Sequence, residues 1–256
     1  MGPAFTANID LAQVVLYVFW AFFAGLIYYL HRENKREGYP LLSDRTNERV
    51  SIIGFPAPPA PKTYLLPHGG TVSVPNGKAD TREIKARPVA IWPGAPLEPT
   101  GNPMVDGVGP AAWAERSDHP DLTFEGAPKI VPLRVAGDFY LEARDPDPRG
   151  MSVVGTDRVV GGTIVDVWVD RSEYLARYFE VDVAGAGRRV LVPVNFCRID
   201  GARRTVKVNA ILGSQFAAVP ATKHPDQVTF LEEDKIMGYY GGGYLYATPA
   251  RAEPLL

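Results

Sequence analysis

The sequence predicts a single N-terminal membrane-spanning helix followed by a mainly-β domain, with a small antiparallel barrel and a short C-terminal helix. Three observations predict it: an uncharged apolar run at 11–30, a period-two alternation that begins near residue 129, and 25 glycines and 24 prolines among 256 residues. That much glycine and proline interrupts long helices and central strands, while 46% hydrophobic residues leave enough apolar surface for a core. A formal net charge of -2 excludes both a disordered acidic tail and a strongly basic nucleic-acid binder. The one cysteine, Cys197, forbids an intramolecular disulfide, and four scattered histidines with no second thiol fit no zinc site of usual spacing.

The span comes first. The run LAQVVLYVFWAFFAGLIYYL at 11–30 has no charged side chain, and at about 1.5 Å per residue it covers roughly 30 Å, the thickness of a bilayer core. Tyr28 and Tyr29 suit the interface at its end, and HRENKRE at 31–37 stops it, giving a transmembrane segment at 11–31. Arg32, Lys35 and Arg36 follow the span while no Lys or Arg precedes it, so residues 1–10 are expected outside and the remainder in the cytoplasm. The missing basic n-region argues against a signal peptide. A myristoylation-like Met1-Gly2 with Thr6 is a chance match, given Pro3 and the outside location. Ala21, Ala24 and Gly25 form a small-residue face that a second helix could approach closely.

Residues 32–128 are expected to be irregular. FPAPPAP at 55–61 and the Gly/Pro-dense stretch at 93–110 exclude long elements. Large apolar residues such as Leu65, Ile91, Trp92 and Trp113 exceed what a solvated linker needs, so this segment is expected to pack on partners. From 129 to 256 strands are expected at 129–135, 163–170, 177–183, 188–194 and 205–211. In the second of these Val165, Val167 and Val169 alternate with Asp166, Trp168 and Asp170, which predicts one buried and one wet face. Such strands need closure or a cover, hence the barrel. Thr229 and Glu232 form a capping box that starts a helix, expected to run to about Gly238 and to end at the glycines 241–243.

The usual catalytic signatures are missing: no phosphate-binding glycine loop, nucleophile elbow, zinc-protease helix or haem-attachment motif occurs. Cys197 lies in an apolar strand-like run and is expected to be a structural thiol. What stands out is a run of ionisable residues around one connection: Asp166, Asp170, Arg171, Glu173, Arg177, Glu180 and Asp182. Close carboxylates raise and couple one another's proton affinities while guanidinium groups lower them, so such a set can pass protons near neutral pH. A solvated strand face with ordinary surface ion pairs accounts for the same pattern.

Several motifs occur in a fixed order behind the span: REGYPL at 36–41, LPHGG at 66–70, PTGNP at 99–103, VDGVGP at 105–110, KIVPLR at 129–134, DPRG at 147–150, WVD at 168–170, EEDKI at 232–236 and YLYATP at 244–249. Together they closely resemble the H subunit of the purple-bacterial photosynthetic reaction centre, and the resemblance covers nearly the whole chain. It implies a PRC-type barrel and a non-enzymatic subunit that caps the L and M subunits on the cytoplasmic side of the photosynthetic inner membrane. There it would stabilise the quinone region and support proton uptake to the secondary quinone. Bacteriochlorophyll, bacteriopheophytin, quinones and non-haem iron would belong to L and M and none to this chain. A cytochrome subunit, a light-harvesting 1 antenna and membrane lipids are further implied partners, and nucleic acid is not. The resemblance places proton transfer on Glu173, Asp170 and Arg177, and on Glu125 at the surface with His119 nearby. The remaining alternatives are a membrane-tethered enzyme or a tethered barrel adaptor unrelated to photosynthesis.

Overall fold

A computed structural model describes residues 10–39, 41–43, 48, 54–78, 80–92 and 94–252. The outside segment expected at 1–10 and the myristoylation-like pattern lie outside the described residues, save for Asp10. The chain divides into two compact units, Met1–Arg82 and Glu83–Leu256.

In the first unit, helix α1 (Leu11–Glu33) begins where the Asp10 carboxylate accepts the Ala12 N–H at 2.9 Å. That bond satisfies one of the free donors of the first turn, and His31 and Arg32 complement the dipole at the other end. None of its side chains is buried by the rest of the chain, and the helix is long and apolar enough to cross a membrane. A 3-10 turn, Asn34–Arg36, follows. The Arg36 guanidinium grips Glu33 with both its Nε (2.7 Å) and Nη2 (2.9 Å), and its Nη1 donates to the Ala60 carbonyl at 2.7 Å. Lys35 donates to the Pro56 carbonyl. The helix end is thereby tied to the irregular segment that leads into an antiparallel hairpin, β1 (Lys62–Leu65) with β2 (Thr71–Val74).

The second unit opens with a small ladder, β3 (Ala86–Pro88) with β4 (Leu97–Pro99), and a short helix α2 (Pro103–Asp106). Asn102 caps α2, and Gly107 at φ 71° stops it, a left-handed conformation that glycine reaches without strain. The sheet that follows has seven strands: β5 (Ile130–Pro132), β6 (Ser152–Val154), β7 (Val160–Asp170), β8 (Leu175–Val183), β9 (Arg189–Pro193), β10 (Cys197–Asp200) and β11 (Thr205–Val208). The hydrogen-bonded order is β10-β11-β6-β7-β8-β9, with β5 paired to the far end of β7. Helix α3 (Phe230–Tyr246) packs with this sheet around one core in which Trp168, Val181, Val206, Ile211, Phe216, Ile236 and Tyr240 are sealed from solvent.

Four expectations are corrected. No ladder joins β9 to β10, so the barrel is not closed, and β11 pairs with β6 in parallel although every other pair is antiparallel. The strand expected at 129–135 is cut to Ile130–Pro132, because a 3-10 turn at Leu133–Val135 follows Pro132 and swings Arg134 toward the sheet. The wet face expected on β7 is covered: Asp166, Trp168 and Asp170 are all buried, as is Glu180 beside them on β8, while Asp182 stays exposed. Helix α3 continues through the glycines expected to end it and reaches Tyr246, because those glycines are a contact surface. A Cβ on Gly243 would stand 2.4 Å from the Ala210 carbonyl oxygen, and one on Gly242 would stand 2.5 Å from the Ala111 Cβ. The capping box is as expected: Thr229 Oγ1 accepts the Glu232 N–H (3.2 Å) and the Glu232 carboxylate accepts the Thr229 N–H (2.9 Å).

Candidate functional site

The charged run of the β7–β8 connection separates into two clusters. The first is built at the end of β7. Asp170, with no exposed surface, accepts the backbone N–H groups of Ser172 and Glu173 on Oδ1, both at 2.9 Å. This closes the turn and sets Glu173 at its tip. The turn residue Tyr174 has φ 57° and its N–H returns to the Asp170 carbonyl. The other oxygen, Oδ2, meets Arg177 Nε at 3.3 Å and Lys129 Nζ at 3.5 Å. The same two cations reach Glu173, Lys129 at 3.3 Å and Arg177 at 3.5 Å, and Lys129 also lies 3.6 Å from Asp121. Burial penalises the Asp170 charge, but the two backbone N–H groups and the two cations outweigh it and hold this carboxyl below the usual carboxylate range. For Lys129 burial opposes the charge, and Glu173, Asp170 and Asp121 more than compensate, so the ammonium is held above its usual value.

The second cluster lies four residues earlier on β7, around Asp166 and its cross-strand neighbour Glu180. Arg134 Nη1 donates to both Asp166 (3.0 Å) and Glu180, its Nε donates to Asp226 (3.0 Å), and Nη2 reaches the Pro225 carbonyl. Arg189 Nη1 donates to the other oxygen of Glu180 at 3.1 Å, and Trp168 Nε1 donates to Glu180 at 3.1 Å. Asp182 is exposed and takes no part in either cluster. A buried carboxylate without a partner is costly, so Arg134 is a condition for burying this face of the sheet.

Of the sequence-predicted residues the structure brings Asp170, Glu173 and Arg177 together. It does not bring Glu125 to them. That side chain sits in a turn, where its own N–H and the Thr123 hydroxyl hold its carboxyl low, and among the described residues no ion pair links it to Asp170 or Glu173. His119 packs edge-on against Phe230, with its Nδ1 3.2 Å from the Pro120 carbonyl. Sequence reasoning missed Lys129, Arg134, Tyr178 and Glu233 as members of the site. For the first two the signal was present: Lys129 and Arg134 flank the short strand of KIVPLR, which pairs with the acidic end of β7. Cys197 donates to the Pro193 carbonyl at 3.4 Å, and burial pushes its thiol up to about 12, as suits a structural thiol. Among the described residues no group of His, Cys, Asp and Glu could hold a metal ion.

An exposed apolar helix long enough to cross a bilayer, followed by a β-sheet domain whose acidic end is internally neutralised, fits a membrane-anchored protein. Family comparison gives the particular class. Residues 3–135 match the photosynthetic reaction centre H-chain N-terminal region, and residues 142–214 match the PRC-barrel domain. The chain belongs to the H subunits of photosynthetic reaction centres. Members are structural membrane subunits that associate with the L and M subunits and bind no pigment themselves.

Proposed function

We propose that this chain caps the L and M subunits on the cytoplasmic side, shields the quinone region from bulk water, and passes protons toward the secondary quinone by way of the Glu173 and Asp170 carboxyl groups, whose charges Lys129 and Arg177 balance. The observation that carries this reading is the pairing of a fully buried carboxylate with a half-exposed one through two shared cations. Such a set links a half-exposed carboxylate to a buried one without leaving either charge unpaired. A quinone reduced twice gains two protons, yet the covering protein has to exclude water from the reduced species, so a polar path through the cover is required. The pigments, quinones and iron of the assembly belong to L and M in this reading. A cytochrome subunit, a light-harvesting antenna and lipids are its outer partners, and the photosynthetic inner membrane is its place, with the N-terminus periplasmic.

Glu173→Gln tests the proton role in the intact complex. It removes a proton-carrying group of nearly the same shape, so assembly is expected to be normal while proton uptake after the second flash slows by roughly tenfold or more. An unchanged second-flash rate would reject the role of this cluster.

A further inference from the structure

Beside the Asp170–Glu173 cluster lies a cleft of about 290 Å³ between the 116–130 segment, β8 and α3. Lys129 and Arg177, the two cations of the cluster, line it directly, and so do Glu233 of α3 and Tyr178 of β8. A water occupies about 30 Å³ of liquid, so the cleft has room for several in contact with polar walls. The Tyr178 hydroxyl donates to Glu233 Oε2 at 2.6 Å. We propose, resting on the proton-uptake reading above, that Glu233 is an internal proton-holding residue of this path. Its carboxylate takes a proton from water in the cleft and releases it toward Glu173 by way of the Lys129–Arg177 wall, returning to the carboxylate.

Two features of the geometry support this, and the electrostatics of the carboxyl agree with them. Glu233 is secured by an O–H donor, which leaves its second oxygen available to water. Its neighbours are mixed in sign: Arg177 of β8, Arg116, Asp121 and Lys129 of the covering segment, and Asp234 of α3 itself. Burial dominates this balance and holds the Glu233 carboxyl above its usual value, in spite of the Tyr178 hydrogen bond and the two arginines. A carboxyl so placed exchanges its proton nearer to neutral pH than an exposed one. Tyr178 itself is pushed far upward by burial and by the Glu233 charge, so it serves as a fixed hydrogen-bond donor and not as an acid.

The test uses the intact reaction-centre complex, with flash-induced proton uptake followed by a pH-indicator dye and carboxyl groups followed by infrared difference spectroscopy. Glu233→Gln is expected to slow second-flash uptake about tenfold and to remove one protonated-carboxyl band that shifts in heavy water. The wild-type rate is expected to fall as pH rises through the elevated Glu233 value, and the variant is expected to lose that fall. If Glu233→Gln keeps the wild-type rate and pH profile while Glu173→Gln is slow, this proposal is overturned and the proton-uptake reading stands. If both variants keep the wild-type rate, both fail. Should Glu233→Gln not assemble, Tyr178→Phe decides. Loss of the donor moves the fall in rate to higher pH, and an unmoved profile overturns the proposal.

Discussion

Asp170 and Glu233 are carboxyl groups that both feel the charge of Arg177, and their environments push them in opposite directions. Asp170 is held low by two N–H donors and two cations, whereas Glu233 is raised chiefly by burial. The low group is a stability element with a definite pH signature. Because its folded pKa is depressed, its contribution is complete above the ordinary carboxylate value of about 3.9 and is lost as pH falls through the lower folded value. Asp170→Asn is therefore expected to cost about 2 kcal/mol at pH 7, the worth of hydrogen bonds to a charged group. Thermal melting of the chain in detergent checks this: the gap to the wild type closes as pH drops below about 4. A gap of equal size at both pH values would assign the loss to packing instead. At this scale the sequence was half legible. The run of acidic and basic residues was visible, but whether it was solvated depended on Lys129 and Arg134. Arg134 is 46 residues from Glu180, and no local periodicity encodes that meeting.

Among the elements, α1, the β7–β8 hairpin and the start of α3 were legible because local patterns encode them: an uncharged apolar run, period-two alternation and a reciprocal capping box. The end of α3 was not. A glycine triplet ordinarily stops a helix, since glycine costs roughly 1 kcal/mol relative to alanine in a helix interior. Here the missing side chains let the 109–111 turn and the residues after β11 approach the helix backbone, and the packing outweighs the propensity. Gly243→Ala is expected to destabilise the chain by about 1–3 kcal/mol as an overpacked contact. Gly241→Ala, whose Cβ would meet only the Pro110 carbonyl oxygen at 3.3 Å, is expected to cost less. Denaturant midpoints of the two variants compare them, and an equal or reversed order would contradict the contact role. The open seam between β9 and β10 was likewise beyond the sequence, because alternation gives the faces of strands but not the pairing that closes a sheet.

Across the whole molecule the telling feature is what the chain leaves uncovered. Beyond α1, the side chains of Phe55, Leu65, Ile91, Trp92 and Phe124 are exposed, which an isolated soluble protein has reason to avoid. The irregular, proline-rich first half was expected from its composition to lie on partners, and these side chains suit that role. Membership of the H-subunit family gives the partners as L and M. Loss of the soluble part is then expected to destabilise the quinone region of the core, because binding to the native assembly stabilises it by mass action. The most direct measurement is an absorption spectrum of whatever remains bound to this chain after extraction in mild detergent and isolation through it. Bacteriochlorophyll and bacteriopheophytin bands in constant ratio to the chain are the expected result. A colourless polypeptide, free of companions, would contradict the assignment of this protein as the cap of a pigmented complex.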